Sequence, residues 1–248
     1  MTSRASLTVP ARFRGPPASG NGGWTSGALA EASGLDPVTV RLRRPPPLEE
    51  LLEVVPGPNG SVELRSGDDV VAVALPQGPE AWTDWSSLPQ VTVDEAREAE
   101  RSYPGLSSHP FPTCFACGPG RDAGDGLRIF PGGTGDGLVA SGWAPDPSVA
   151  GPDGVVGVPV TWAALDCVGG WSSDLEHRPM VLAQMSARVE RPPVAGTPYV
   201  VRGRLLRTEG RKTWTASALL DADGVLLGQA EQLWMEVDWA VVQHLQEA

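Results

Sequence analysis

Two stretches of the sequence hold residue types that can do chemistry. Asp166 stands in a helix-like, alanine-rich run of residues 162–170. A carboxylate in that position can serve as a base or a nucleophile, but it can equally be an ordinary helix residue. Cys114 and Cys117 form a Cys-x-x-Cys pair about fifty residues earlier. Such a pair is half of a zinc site, a redox dithiol or simply two packed thiols.

A zinc site at the cysteine pair would need ligands from elsewhere in the chain. His109 together with Cys167 or His177 would have to complete it, because the sequence has no second cysteine pair at ligand spacing. A redox dithiol is also disfavoured, since no thioredoxin-like βαβ pattern surrounds the pair. We therefore expect neither a metal nor another cofactor.

The segment around the cysteine pair resembles a known family. Small acyl-CoA thioesterases of the hotdog-fold superfamily, the PaaI-like thioesterases, often begin with Cys-Phe-x-Cys-Gly-Pro and continue to Gly-Leu-x-Leu-x-Phe. The corresponding segments here are Cys114-Phe115-Ala116-Cys117-Gly118-Pro119 and Gly126-Leu127-Arg128-Ile129-Phe130. The family then has a helix with His-Gly-Gly followed by Ala-Leu-x-Asp, which Ala164-Leu165-Asp166 resembles in part. The resemblance covers residues 110–237 well and residues 10–80 loosely.

A weak internal repeat suggests how the chain is organised. Residues 41–46 and 187–193 both end in Arg-Pro-Pro, and each follows a glycine-containing, helix-like segment. Strand-like runs with turns of Gly and Asp come after each copy and predict antiparallel hairpins. With the family resemblance, this predicts an α+β fold, a tandem or double hotdog in which two antiparallel sheets each wrap a central helix.

The predicted domains are an abbreviated N-terminal hotdog at residues 1–90, a linker at 91–108 and a C-terminal hotdog at 109–248. The linker contains Thr92-Val93-Asp94-Glu95, whose spacing is that of a capping box, so a short charged helix should begin there. A proline-rich stretch at residues 107–112 then leads into the cysteine segment.

The resemblance also implies a division of catalytic parts between the two halves. In the family the acid lies about nine residues after the His of His-Gly-Gly. Counting back from Asp166 gives Gly157-Val158-Pro159, which has lost that motif, and Pro159 has no N–H to offer an oxyanion. The front half has Asn21-Gly22-Gly23, close to the motif, but nine residues on lies Ala30, with Glu31 beside it. We therefore expect one competent site per chain, with Asp166 facing Asn21, Gly22 and Gly23.

The sequence also offers candidates for binding the acyl group and the phosphates of coenzyme A. Thr161 and Trp162 would line the acyl pocket if their face of the helix points inward. Arg202 and Arg204 belong to the densest basic cluster and share one strand face, because alternate strand residues do. That face would suit the phosphates of coenzyme A, or it is simply a solvated sheet face or a charged edge.

Composition narrows the partners. The 248 residues have a formal net charge of −11, which argues against nonspecific binding to nucleic acid or an anionic membrane. No apolar run approaches 18 residues and the N-terminus has no long apolar core, so neither a transmembrane helix nor a secretory signal is expected. A cytoplasmic protein is the expectation, with an acyl-CoA or related thioester as partner and a possible homodimer of double-hotdog chains.

Two other functions are compatible with the same pattern. A non-catalytic protein could bind acyl-CoA or another acyl ligand on this fold, because fold does not fix function. A hotdog hydratase or dehydratase would need a His beside the helix acid, and no His lies near Asp166 in the sequence.

Overall fold

The computed structural model describes residues 5–135 and 137–247. Both halves of the chain contain α-helices and strands. The α-helices are α1 (Gly22–Ser33), α2 (Val93–Ala99), α3 (Val158–Gly170) and α4 (Trp239–Glu247). The strands of the front half are β1 (Ala5–Thr8), β2 (Thr39–Leu42), β3 (Leu51–Pro56), β4 (Val62–Ser66) and β5 (Asp69–Leu75). Those of the back half are β6 (Gly132–Gly133), β7 (Leu138–Trp143), β8 (Met180–Val189), β9 (Tyr199–Glu209), β10 (Lys212–Asp221) and β11 (Leu226–Glu236).

All these strands join in one antiparallel sheet, in the order β1-β3-β4-β5-β2-β8-β11-β10-β9-β7-β6. The two halves of this order are related. From the centre outward the front half runs β2, β5, β4, β3, β1, and the back half runs β8, β11, β10, β9, β7, so each strand has a counterpart. The internal repeat in the sequence is thus a structural repeat, with β6 added at one edge.

The seam between the halves is the pairing of β2 with β8. Thr39 lies opposite Ser186, and their hydroxyl oxygens are 2.7 Å apart in a buried hydrogen bond. Two residues along the seam, Arg41 lies opposite Gln184, and its Nε donates to Gln184 Oε1 at 2.8 Å. The two sheets expected from the sequence are therefore continuous with each other, because backbone pairing at the seam joins them.

The central helices α1 and α3 pack against each other inside the curve of this sheet. Every residue of α3 from Val160 to Gly170 is buried, which explains why the run is apolar on all sides rather than amphipathic. α1 begins after Asn21, whose side chain accepts the Trp24 N–H, and ends at Gly34 in the left-handed conformation. A helix held by an antiparallel sheet thus occurs twice, as predicted.

The linker also folds as its sequence indicates. Thr92 caps α2, and the reciprocal Thr92–Glu95 hydrogen bonds of a capping box are both present. α2 packs on the outer face of the sheet, where Ala96 meets Ala140 and Val200 in a small apolar cluster. None of the helices in the described ranges is long and apolar enough to cross a membrane.

Candidate active site

Asp166 lies where the two halves of the chain meet. It is in the middle of α3, only 2% exposed, and its carboxylate faces the N-terminus of α1. Asp166 Oδ2 accepts the backbone N–H of Gly23 at 2.9 Å and the Nδ2 amide of Asn21 at 3.2 Å. The juxtaposition expected from the sequence, a back-half acid against the front-half Asn21-Gly22-Gly23 loop, is present at hydrogen-bonding distance.

The two oxygens of this carboxylate have different surroundings. Oδ2 takes both hydrogen bonds, whereas Oδ1 is buried and has no hydrogen-bond partner among the described residues. Asp166 also forms part of the wall of a cavity of about 490 Å³. The site therefore holds the carboxylate by one oxygen and leaves the other without a hydrogen-bond partner among the described residues.

The beginning of α1 supplies the partners of Asp166. Asn21 is the N-cap: its Oδ1 accepts the Trp24 N–H at 2.8 Å while its Nδ2 points at the carboxylate. The first N–H groups of a helix have no partner within the helix, and Gly23 uses its own for Asp166. The N–H of Gly22 has no hydrogen-bond acceptor among the described residues, and Gly22 lines the cavity. Gly22 rather than Gly23 is thus the amide available to an oxyanion.

Gly23 has a steric role as well. A Cβ placed on Gly23 would lie 2.4 Å from Asp166 Cβ and 2.8 Å from the Trp162 carbonyl oxygen. A Cβ atom is essentially never found this close to another heavy atom that is not bonded to it. Only glycine therefore lets α1 approach α3 closely enough for the Gly23 amide to reach the carboxylate.

Burial sets the acidity of this group. Desolvation raises the pKa of Asp166 to about 7, while the hydrogen bonds from Gly23 and Asn21 pull the pKa down and the nearby Cys114 pushes it up. A carboxyl group with a pKa near neutrality can accept a proton as well as release one, which is the property of a general base.

Three cysteines lie next to Asp166. The sulfur atoms of Cys114, Cys117 and Cys167 are within 4.8 Å of one another and all three line the same cavity. His109 Nε2 is 3.3 Å from Cys117 Sγ. Hydrogen bonds from Cys117 and Cys167 lower the pKa of Cys114, while burial raises the pKa of Cys117. Of the ligands considered from the sequence, His109 and Cys167 join the pair, whereas the exposed His177 binds Asp174 at 2.9 Å instead.

The cavity is built from both halves and is mostly apolar. Its side walls come from β8, β11, α4 and the residues that follow α3, and its front wall comes from the loop before α1 and the end of β2. The larger apolar members of the back-half wall are Phe111, Trp171, Leu175, Met180, Leu182 and Trp234. A cavity of this size and lining suits an acyl group rather than a highly polar ligand.

The structure does not bring Thr161 and Trp162 to the cavity beside Asp166. Both are buried, and neither belongs to the cavity wall. Thr161 Oγ1 donates to the Gly157 carbonyl within the first turn of α3. The Trp162 side chain faces α1, where a Cβ on Gly27 would come within 2.8 Å of it. Both side chains are thus used in packing and local hydrogen bonding inside the protein and not in the cavity wall.

Arg202 and Arg204 do not lie at the cavity either. Arg202 is 1% exposed, stacks its guanidinium over Trp85 at 5.4 Å and donates to the Pro89 carbonyl at 2.6 Å. It therefore fastens residues 85–89, which directly precede the linker, to the outer face of the sheet. Neither arginine is among the residues described as lining the cavity, so the expected contact with coenzyme A phosphates is not available there.

Sequence analysis missed the cations that do reach the cavity. Arg43 and Arg44 follow β2 and line the cavity at its edge, and both are exposed. Arg44 pairs with Asp69 at 2.7 Å. The indication was in the repeat itself, because the Arg-Arg-Pro-Pro segment directly follows the strand that forms the seam. α4, which contributes Val241 and Leu245 to the wall, was missed as well.

Solved structures with the same architecture place this chain in a fold class. No protein-family model matches the sequence, and no curated protein matches it either. A hotdog-fold protein of unknown function from Alicyclobacillus acidocaldarius is 14% identical, with a TM-score of 0.59, over 96% of this chain and 95% of that one. The tesB protein MAP1729c of Mycobacterium avium subs paratuberculosis is 13% identical, with a TM-score of 0.58, over the same shares.

A shorter match is closer in sequence. The thioesterase superfamily protein RHA08564 is 29% identical over 44% of this chain, with a TM-score of 0.41, and the match spans 57% of the length of that protein. The two matches that run nearly end to end are the ones that define the architecture. The chain has the hotdog fold, as a double hotdog in which one polypeptide forms both units.

Proposed function

We propose that this protein hydrolyses acyl-CoA thioesters, with Asp166 as the reacting carboxylate and the N-terminus of α1 as the oxyanion site. The observation that supports this most directly is the carboxylate of Asp166, a cavity-lining residue whose buried Oδ1 has no hydrogen-bond partner among the described residues. Thioester hydrolysis needs a base or nucleophile near the carbonyl carbon and donors aimed at the developing oxyanion. Oδ1 would act on water or on the carbonyl carbon.

The oxyanion donor in this proposal is the Gly22 amide. It is at the first position of α1, where N–H groups are free and the helix dipole favours negative charge. Asn21 and Gly23 are positioning residues, since both hold Asp166 Oδ2. The proposal thus keeps the four residues expected from the sequence and separates their roles.

Coenzyme A as the thiol half of the substrate is supported by the charges at the cavity edge. The acyl group would occupy the apolar cavity beside Asp166, and Arg43 and Arg44 at the edge would meet the phosphates. They replace Arg202 and Arg204, which lie on the outer side of the sheet. These cations stand out because the chain as a whole has a net charge of −11.

The test is a panel of acyl-CoA esters of increasing chain length and of aryl type, read by release of free thiol. Binding of each ester is measured in parallel by calorimetry. We expect turnover of at least one class of ester, with free coenzyme A and the free acid as products. Binding without thiol release across the panel would select the alternative, a non-catalytic acyl-CoA binding protein.

A further inference from the structure

The three cysteines of the chain come together from two separate segments. Cys114 and Cys117 belong to the loop before β6, and Cys167 is on α3, directly after Asp166. All three are free and buried, with exposures of 4%, 3% and 8%. They also line the cavity, so a small ion has a path to them.

Their spacing is that of a thiolate metal site. Zinc bound tetrahedrally at a Zn–S distance of ~2.3 Å places its sulfur ligands roughly 3.8 Å apart. Cys114 Sγ and Cys167 Sγ are 3.7 Å apart, and all three sulfur atoms lie within 4.8 Å of one another. These separations are close to those of sulfur atoms that share one zinc ion.

The backbone around the cysteine pair is arranged to present both sulfur atoms together. The Gly118 N–H donates to the Cys114 carbonyl at 2.9 Å, which closes a tight turn. A Cβ on Gly118 would lie 2.4 Å from the Pro112 carbonyl oxygen and 2.6 Å from Cys114 N. The turn therefore requires glycine directly after the second cysteine.

Hydrogen-bond donors surround the sulfur atoms. Asn21 Nδ2 is 3.7 Å from Cys114 Sγ and 3.8 Å from Cys167 Sγ, and His109 Nε2 is 3.3 Å from Cys117 Sγ. His109 Nδ1 accepts the Phe111 N–H at 2.9 Å, so in a neutral ring the proton is assigned to Nε2, from which it donates to Cys117. N–H groups of this kind stabilise thiolates in the outer shell of metal sites.

We propose that Cys114, Cys117 and Cys167 bind a zinc ion through three thiolates, with the fourth coordination position open to the cavity. Thiolates are ligands that zinc prefers, and three protein ligands with an open fourth position are a known arrangement for a bound zinc ion. The ion would tie the loop before β6 to α3. The site shares its cavity with Asp166, but zinc binding and hydrolysis are distinct proposals and neither requires the other.

The experiment measures metal in the full chain, expressed without a polyhistidine tag and kept reduced. Metal content is determined by mass spectrometry, and zinc affinity by competition with a chromophoric chelator. Cobalt(II) then replaces zinc, because thiolate–cobalt charge transfer reports sulfur ligands directly. We expect about one zinc ion per chain and strong charge-transfer bands, as for other thiolate sites.

Matched variants identify the ligands. Cys117→Ser and Cys167→Ser should each weaken zinc binding at least tenfold, whereas Leu175→Ala, which alters the same cavity without removing a ligand, should leave the affinity unchanged. Circular dichroism shows whether each variant folds. If a serine variant fails to fold, the intensity of the cobalt charge-transfer band in the unmodified chain still counts the thiolates.

Three results would overturn the proposal. The first is a reduced protein that binds no zinc on reconstitution while all three thiols react with a thiol reagent. The second is zinc bound as tightly in Cys117→Ser and Cys167→Ser as in the unmodified chain. The third is a Cys114–Cys167 disulfide in protein handled under reducing conditions, which would make the cluster a redox pair.

Discussion

Asp166 shows how one buried carboxylate can be both fixed and reactive. Oδ2 is held by the Gly23 amide and Asn21, and these bonds orient the group without occupying Oδ1. A residue with both oxygens satisfied would be a structural anchor, and one with neither satisfied would rotate. The asymmetry is what makes Asp166 a candidate for catalysis rather than an ordinary helix residue.

A substitution at Gly22 can remove the proposed oxyanion donor while keeping the start of the helix. Proline is tolerated at the first position of a helix because the N–H there has no helical partner, so Gly22→Pro deletes the amide hydrogen. Loss of an oxyanion donor costs roughly 10²–10³ in kcat, and we expect a fall of this order in acyl-CoA hydrolysis. Steady-state thiol release gives the value.

The control for this variant is Gly22→Ala. It keeps the amide and adds the same Cβ, which would contact Leu182 Cδ2 at 3.0 Å. Equal kcat values for the alanine and proline variants would mean that the Gly22 amide has no part in the reaction.

Gly23 is predicted to be critical for both stability and activity. Gly23→Ala forces a Cβ into Asp166 and the Trp162 carbonyl, so α1 must move away from α3. Overpacking of this kind typically costs about 1–3 kcal/mol, and we expect the free energy of unfolding in denaturant to fall by that amount, with kcat reduced as well. Gly133→Ala is the matched control, because its Cβ would meet no atom within 4 Å; an equal loss in both variants would contradict the close approach.

At the scale of elements, the site depends on the ends of helices and strands. The N-terminus of α1, the middle of α3 and the segment after β2 each deliver one part of it. Sequence reasoning found the first two because Asn-Gly-Gly and Ala-Leu-Asp are contiguous motifs. It misplaced the cations, because alternation along β9 correctly puts Arg202 and Arg204 on one face but does not say which element covers that face. Residues 85–89 cover Arg202 there.

The proposed role of Arg43 can be tested by comparing a substrate that carries the phosphates of coenzyme A with one that lacks them. Arg43→Ala should raise KM for an acyl-CoA several-fold and leave kcat nearly unchanged, because a phosphate contact remote from the reacting carbon contributes binding in both ground and transition states. With the same acyl group on N-acetylcysteamine, which lacks the phosphates, Arg43→Ala should have no effect. Arg204→Ala serves as the control and should not change KM for either substrate; a KM increase with both substrates in Arg43→Ala would point to a damaged cavity instead.

The whole molecule is a pair of related units that share one sheet. The sequence predicted this architecture from its internal repeat and from the strand-like runs after each copy, which in the back half include the long strands β9, β10 and β11. It did not identify β2 or β8 as strands, although both end in the repeated Arg-Pro-Pro region and together form the seam. Pairing across the seam is a contact between residues more than 140 positions apart, and local sequence pattern does not encode it.

The same symmetry gives each chain two places where a site could be, of which we expect one to function. The second place would pair Glu31 with the start of α3. Glu31 is exposed near the end of α1, and Pro159 occupies the first turn of α3. In the proposed site the front half supplies the amide donors and the back half supplies the buried acid, so the proposal needs both halves.

The most direct measurement is kcat/KM for acyl-CoA hydrolysis by Asp166→Asn beside Glu31→Gln, with ligand binding measured for both. Asparagine keeps the shape of Asp166 and removes its charge, and loss of an acid–base group costs typically 10²–10⁴ in rate. We predict a loss of at least about that size in Asp166→Asn with binding retained, and no change in Glu31→Gln. Full turnover in Asp166→Asn, or a comparable loss in Glu31→Gln, would contradict the assignment of the reaction to the buried acid between the two halves.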